Sequence, residues 1–485
     1  MLLALIFGVR VADLRYNTLF VDEAIYATVG RDALAGVLSH GALGWMYGSY
    51  LYPAIAGLVD SVGGETGLRL LSAILSTGAA ALIYAATLRL FGGDAAVWAT
   101  LCFGFTAISI DTGQYAVYDA PVIPALAGAL YLVVRGAEAP PARERIYLLG
   151  AAACMSLGVL AKYLAVLYLP ALCCVGLACA LHQGRSLRTF VLLFLAPTAL
   201  LLGAYGWLAR DELLALLQGD YGVAAGARTL IFRDIWAEIG VTTLLAMAGL
   251  VLLAQRGLPF AVVTPRWRRL LWAALVPALA LAVLAAPIYH LVSGNSRAAW
   301  KHTVYSLIFL APLAGYTCAR LMEALRELPG RRSLAARAVA ALASALLVVW
   351  GLGYAFDRNW GFQNSWPNVR GVVAHLQEAR LAPGQPVLAE GSQIYDYYFR
   401  FGPAHAGMWT NTWYARYEGR EGVEAMEAAI ADRYYRFVIL DSYHTPELRQ
   451  RLEVALQAAG YTLRYEEAQQ LSLGTTARLS VYHAP

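Results

Sequence analysis

The sequence predicts a polytopic α-helical membrane protein that carries a C-terminal α/β domain, and three observations predict it. Of 485 residues, 59% are hydrophobic and only 14% are charged, whereas a soluble chain runs near ~45–50% apolar and ~25% charged. Apolar runs recur up to residue 356 at close to the ~20 residues that a bilayer core demands. After Tyr354 the composition shifts to strand-like and helix-like segments in alternation. Together these exclude an ordinary cytosolic enzyme and a disordered chain. They also exclude a nucleic-acid partner, since on such a chain the net charge of +5 reports loop asymmetry.

About eleven apolar segments are expected, at 1–12, 68–91, 94–110, 118–135, 146–161, 163–182, 189–208, 237–255, 270–291, 303–322 and 335–356. The first is too short to span. No basic stretch with a small-residue cleavage site precedes it, so no signal peptide is expected. All six cysteines, from Cys102 to Cys318, fall inside apolar runs, which leaves no disulfide framework or thiolate metal site. Arginines cluster in the loops at 135–145, 182–188, 256–269 and 320–337, and the positive-inside bias makes those loops cytoplasmic. Everything after Tyr354 then lies outside. Residues 1–356 are expected to form the membrane domain, with a first outer loop at 13–67 made of short helices on the membrane surface. A second outer segment is 209–236.

Residues 357–485 are expected to be an extracytoplasmic α/β domain. Strand-like runs "QPVLAEG", "YRFVILD", "YTLRYEE" and "ARLSVYH" alternate with the helical spacing of "NVRGVVAHLQEARL", "GVEAMEAAIADRY" and "PELRQRLEVALQAAG". This pattern argues a mainly parallel sheet. No Gly-rich phosphate loop opens any of these helices, so no nucleotide is expected there.

The candidate chemistry sits on the outer side. Asp22 and Glu23, in "LFVDEAIYATVGRDAL", are adjacent carboxylates that must face water or a polar cavity; the plainer reading is that Asp22 caps a helix and Glu23 favours its dipole. Asp119 opens a span in "DAPVIP", where the plainer reading is again an N-cap. Asp111 reads as an ordinary loop residue. Of 37 basic residues only Lys162 and Lys301 are lysines, and both fall where a span meets an outer loop. An ammonium on a flexible stem suits a lipid phosphate as a point charge, and the plainer reading is snorkelling. Lys301 has Arg297 and His302 close by in sequence, and Arg69 begins the second span on the same face. Tyr26, Tyr52, Trp45, Tyr47, Tyr50 and Tyr115 either stack on sugars or form an interfacial belt. Eight histidines without paired spacing give no support to a histidine metal site.

These motifs, in this order, carry a resemblance. "LFVDEAIYA", "YPAIAGLVDSVGGETGLRLLSAILST", "GQYAVYDAPVIPALAGALYL", "SLGVLAKYLAVLYLP" and "HTVYSLIFLAPLAGY" resemble the membrane glycosyltransferases of the C superfamily. The nearest likeness is to glycosyltransferase family 39, which takes in protein mannosyltransferases and the lipid A aminoarabinose transferase. The likeness covers roughly residues 13–320. It implies the C-superfamily fold, a polyprenyl-phosphate sugar as donor, a lipid, glycan or protein acceptor, and a multi-pass enzyme of the plasma membrane working on its outer face. It implies catalytic roles for Asp22 and Glu23. Donor-phosphate binding falls to Lys301, His302, Arg297, Lys162 and Arg69, and substrate binding to Tyr26, Tyr52 and Asp119. No cofactor is certain, and a divalent cation is left open. The chain departs from the family at two points: "LAKY" stands for an "LTKG"-like stretch, and Leu51-Tyr52-Pro53 stands where aminoarabinose transferases have Glu-Lys-Pro. The second departure argues against the lipid A branch.

One carboxylate base opposite a leaving phosphate implies inversion at the anomeric carbon, unlike the paired-carboxylate retaining route. The competing reading is a lipid or sugar transporter or flippase, which would show broken helices in paired halves. A receptor-like binding protein would leave so many spans without a purpose.

Overall fold

The computed structural model describes residues 1–37, 49–183, 185–218, 228–256, 266–296, 298–327, 330–472 and 474–485. Helices α1 (Leu2–Val11), α2 (Val21–Leu34), α3 (Leu51–Phe91), α4 (Gly93–Gly104), α5 (Ala107–Gln114), α6 (Asp119–Glu138) and α7 (Pro141–Ala161) come first. A 3₁₀ turn (Tyr163–Tyr168) leads into α8 (Leu169–His182). Then come α9 (Leu187–Leu208), α10 (Arg210–Gln218), α11 (Arg228–Arg256), α12 (Arg266–Val283), α13 (Ala285–Ser293), α14 (Ala299–Arg326) and α15 (Gly330–Gln363). The chain forms two compact units. One joins Met1–Ala12, Leu43–Tyr52 and Arg69–Phe356; the other joins Asp13–Ala42, Pro53–Leu68 and Asp357–Pro485.

Among the described residues, seven helices are long and apolar enough to cross a membrane, or up to nine if each of two bent pairs is one span. The bent pairs are α4 with α5 and α12 with α13, each bent by 64°. The expected segments from 68–91 to 303–322 coincide with these helices and pairs, and the last, 335–356, lies within α15. The hydropathy pattern found them because a helix satisfies its backbone internally wherever no water is at hand.

In the first unit α14 is the central helix: every residue from His302 to Tyr316 is buried. Its neighbours approach closely because Gly315 has no Cβ, which would stand 2.4 Å from the Ala95 carbonyl oxygen of α4. Arg10 of α1 is fully buried and tethered by neutral acceptors. Its Nε donates to Ser76 Oγ (2.9 Å), its Nη1 to the Ile6 and Gly104 carbonyls (both 3.1 Å), and its Nη2 to Ser109 Oγ (2.8 Å).

In the second unit the first loop and the C-terminal segment fold together. The Trp366 indole donates to the Thr18 carbonyl at 3.0 Å, Asn17 donates to the Gln363 and Trp366 carbonyls at 3.0 Å, and Tyr398 donates to Glu65 at 2.9 Å. Helix α2 crosses the first turns of α3 at Gly30 and Gly57, where a Cβ on Gly30 would lie 1.9 Å from the Pro53 carbonyl oxygen. A break at Gly64 (φ 57°, ψ −153°) ends those turns, a conformation open to glycine.

The C-terminal domain adds α16 (Arg370–Glu378), α17 (Ser392–Phe399), α18 (Gly422–Ala431) and α19 (Arg449–Ala458). Its five-stranded sheet runs β2 (Trp409–Asn411), β1 (Val387–Ala389), β5 (Phe437–Leu440), β7 (Thr476–His483), β6 (Thr462–Gln470); β3 (Arg416–Tyr417) and β4 (Arg420–Glu421) form a separate ribbon. Only β2, β1 and β5 are mutually parallel; β7 pairs antiparallel with β5 and β6. The expectation of a mainly parallel sheet is corrected on this half. No helix separates "YTLRYEE" from "ARLSVYH", and a short connection permits only a hairpin.

Candidate active site

A fully buried carboxylate gathers both of the chain's lysines. Asp119 is the first residue of α6, 0% exposed. Its Oδ1 lies 2.6 Å from Lys162 Nζ and accepts from the Tyr305 hydroxyl. Its Oδ2 lies 3.9 Å from Lys301 Nζ. Each cation arrives by a break in regular structure. Lys162 is the extended residue (φ −159°, ψ 121°) between the end of α7 and the 3₁₀ turn. The Ser49 hydroxyl fixes that end by donating to the Leu160 and Ala161 carbonyls at 3.0 and 2.7 Å. Lys301 stands in the first turn of α14, just after Ala298 at φ +55°, a left-handed conformation that costs a non-glycine residue energy and is often held in place at functional sites.

Aromatic rings line the cations. Tyr118 lies 4.2 Å from Lys162 Nζ and Tyr115 5.9 Å from Lys301 Nζ, within the range of cation–π attraction. His302 turns its Nδ1 to His290 Nε2 at 2.8 Å, and His290 Nδ1 meets the Asn295 carbonyl at 2.7 Å. The His302 ring stacks on Tyr305, with centroids 6.0 Å apart. Tyr168 and Ser306 share a 2.8 Å hydroxyl contact below.

The plainer readings of these groups are corrected. Lys162, Lys301 and Arg69 do not snorkel: Arg69 is 0% exposed, and the lysine side chains are 8% and 12% exposed. Asp119 is not an N-cap, because its oxygens go to lysines and a tyrosine. Tyr26 and Tyr52 are fully buried rather than belt residues. Asp111 is no loop residue but a buried position in α5. Arg297, Trp45, Tyr47 and most of the basic loop 256–269 lie outside the described residues.

The second unit places the acid motif on α2. The helix starts at Val21, and Glu23 rather than Asp22 reaches back, its Oε2 accepting from the Phe20 N–H at 3.0 Å. Glu23 is buried and Asp22 half-buried, and the bond to Phe20 shows that the cap falls to the other acid of the pair. Tyr305, His290 and Tyr168 were not singled out from the sequence. Tyr305 was present in the "HTVYS" motif, but a tyrosine inside a span carries no composition signal. Among the described residues, no group of three or more His, Cys, Asp or Glu is arranged to hold a metal ion.

Two ammonium groups fixed on one carboxylate form a rigid cationic cradle within a bilayer-spanning unit. Intramembrane charges are expensive and concentrate where ligands or ions are handled, and ammonium groups bind phosphate as point charges.

The family model for dolichyl-phosphate-mannose-protein mannosyltransferases matches residues 47–207, a stretch that contains Tyr52, Arg69, Asp119 and Lys162. No curated protein sequence matches the chain. Among solved structures, ArnT from Cupriavidus metallidurans is similar in its apo state over 99% of this chain and 97% of its own, at 14% identity and a TM-score of 0.59. The same protein bound to undecaprenyl phosphate gives a TM-score of 0.56 at the same identity and coverage. The Archaeoglobus fulgidus oligosaccharyltransferase tethered to an acceptor peptide is similar over 98% of this chain and 73% of its own, at 15% identity and a TM-score of 0.51. Arabinofuranosyltransferase AftD from Mycobacteria is similar over 99% of this chain and 40% of its own, at 14% identity and a TM-score of 0.51. The resemblance to C-superfamily membrane glycosyltransferases of the family 39 kind is borne out by the family match and by the fold.

Proposed function

We propose that this chain is a membrane glycosyltransferase that takes a sugar from a polyprenyl-phosphate donor and delivers it, with inversion, to a lipid, glycan or protein acceptor on the outer face of the plasma membrane. One observation carries the reading: Lys162 and Lys301, the chain's two lysines, converge on buried Asp119. The donor's leaving group is a phosphate whose negative charge grows as the glycosidic bond breaks, and preorganised cations stabilise such charge most where water is excluded. Asp119 holds both ammonium groups in place, with Nζ atoms 2.6 and 3.9 Å from its carboxylate. The likeness to a protein solved with undecaprenyl phosphate supports that choice of donor.

Asp22 is the proposed general base. It is half-buried, and its neighbour Glu23 accepts from the Phe20 N–H at the helix N-terminus. A carboxylate that removes the acceptor's proton on the face opposite the leaving phosphate gives inversion. His302 stacks on Tyr305 beside the cradle, Arg69 and Arg297 are kept as donor-phosphate contacts from the sequence, and Tyr26 and Tyr52 are kept as substrate-binding residues. A divalent cation would be held by the donor's own phosphate oxygens as much as by protein.

The deciding experiment incubates purified protein with a panel of polyprenyl-phosphate sugars and follows sugar release and transfer. Asp22→Asn should lower transfer by about 10²–10⁴-fold, the span expected for losing a general base, with donor binding unchanged. Normal turnover in that variant removes Asp22 from the mechanism. The transporter reading is favoured by the two bent helix pairs; it predicts movement of intact lipid or sugar in vesicles without cleavage, and the same panel excludes it once free sugar or glycosylated acceptor appears.

A further inference from the structure

We infer that the second unit holds a saccharide-hydroxyl subsite lined by Arg31, Asp32, Asp396 and Arg400. A cavity of about 210 Å³ opens between the last turns of α2 and the end of α17, lined by Thr28, Arg31, Asp32 and Ala35 on one side and Asp396, Arg400, Gly402 and Pro403 on the other. At ~30 Å³ per water it has room for about seven waters, which suits one small polar group such as a sugar ring and not a peptide or a lipid tail.

The wall is preorganised. Thr28, Arg31 and Ala35 recur at helical spacing, so α2 presents them on one face. Arg31 Nη2 donates to Thr28 Oγ1 at 3.1 Å and to the Tyr397 carbonyl at 3.3 Å, and its Nε lies 3.5 Å from buried Asp60. Arg400 donates to the same carboxylate at 3.3 Å. Arg31 Nη1 is buried without a hydrogen-bond partner, so the protein alone does not saturate this guanidinium.

The chemistry of the lining selects the ligand class. An anion would meet Asp32 and Asp396, and a cation would meet Arg31 and Arg400. A hydroxyl both donates and accepts, so a neutral polyol satisfies carboxylates and guanidinium groups together within so small a volume. The choice of a saccharide among polyols rests on the glycosyltransferase reading, in which this subsite holds part of a glycan acceptor.

The groups facing Asp396 are Asp32 and Arg31 from α2, Asp60 from α3 through the two arginines, and Arg400 just past the end of its own helix. Burial and then Asp32 push the Asp396 carboxyl up to about 6, against the pull of Arg31. Saccharide affinity should therefore fall severalfold between pH 7 and pH 5, as Asp396 takes a proton and loses the charge that makes it a strong acceptor.

The test measures binding, not turnover. Full-length protein in detergent, with no donor lipid present, is examined by saturation-transfer NMR against methyl glycosides of hexoses and pentoses. The inference expects saturable binding of at least one glycoside, weakened tenfold or more in Asp396→Asn and Asp32→Asn, while undecaprenyl phosphate binds all three proteins equally. Equal glycoside binding in wild type and both variants overturns the location. Binding of inorganic phosphate or Mg²⁺ in place of every glycoside overturns the ligand class. Failure of undecaprenyl phosphate to bind wild type, with glycoside binding intact, counts against the proposed function and leaves the subsite standing.

Discussion

The two units each contain a fully buried aspartate held by two cations and a tyrosine hydroxyl, and the two sites are built for different work. In the membrane-spanning unit Asp119 meets Lys162, Lys301 and Tyr305. In the other unit Asp60 meets Arg31, Arg400 and Tyr397, whose hydroxyl donates to it at 2.7 Å. Both arginines also cover the Tyr397 ring, at 4.8 and 5.4 Å from its centroid. A guanidinium spread over a ring and bonded through several nitrogens is locked in one geometry, whereas an ammonium is a compact charge able to turn toward a second anion. The comparison assigns the lysine site to handling the donor's anionic headgroup and the Asp60 centre to architecture, joining α2, α3 and α17 and fixing the arginine wall of the cavity beside it.

The largest expected effect breaks this comparison if it fails. Lys301→Ala should cut kcat/KM for the donor about 10²-fold, through a lowered kcat as well as a raised KM, the scale of one lost stabilising donor. Asp60→Asn should leave donor KM unchanged. A variant pair behaving the other way round, measured in detergent with the same donor, would exchange the two assignments.

The next effect is on stability. Removing the charge of Asp60 leaves two cations facing a neutral amide; breaking a fully buried pair from one side costs about 3–5 kcal/mol, and the loss here is smaller because water reaches Arg400, which is 48% exposed. Asp60→Asn should lower the thermal unfolding temperature of the full chain by several degrees. An unaltered melting curve would mean that the arginines find other acceptors and that the site is not architectural.

How much of this was readable beforehand differs between the sites for a physical reason. Spans were legible because apolar length is a local property of the chain. The lysines stood out because the chain has only two, and rarity in an arginine-rich sequence is visible without a structure. The Asp119 contacts were not: a carboxylate beside "APVIP" has the local pattern of a helix start, and what decided its role were residues that tertiary packing brings from 43 and 186 positions away. For Asp22 and Glu23 the local pattern was right and the order wrong, because which acid caps depends on where the helix begins, to one residue. Asp60, Arg31 and Arg400 joined only when the first loop folded with the C-terminal segment, a pairing that composition does not encode. Strand β2 and helix α17 went unseen because aromatic runs such as "YDYYF" suit either structure.

Conservative exchanges sharpen the contrast at smaller amplitude. Lys162→Arg keeps the charge but puts a planar fork where a point charge is bonded at 2.6 Å, so donor KM should rise about tenfold while the fold is kept. Arg31→Lys keeps the ion pair with Asp60 but removes the guanidinium from the Tyr397 ring, and should cost about 1 kcal/mol of stability with donor KM unmoved. Equal effects on KM in the two exchanges would erase the distinction between point charge and fork.

A pH-dependent effect concerns a carboxyl that neither site uses. Glu390 follows β1 and is 0% exposed, with Oε2 accepting from the Thr445 N–H at 3.2 Å. Burial, and then a hydrogen bond and charge from Asp441, push it up to about 9 from an ordinary 4.5. Since the folded value is the higher, the protonated carboxyl favours the fold fully below pH 4.5, and that contribution is lost as pH rises through about 9. Glu390→Gln puts a non-ionising amide in the same place, able to donate to Asp441 as the acid does. Its melting temperature should match wild type near pH 4.5 and exceed it by an increasing margin, a few degrees in all, as pH climbs toward 9. A margin that stays flat with pH would show that Glu390 is ionised in the fold, and the C-terminal domain would then need a cation beside it.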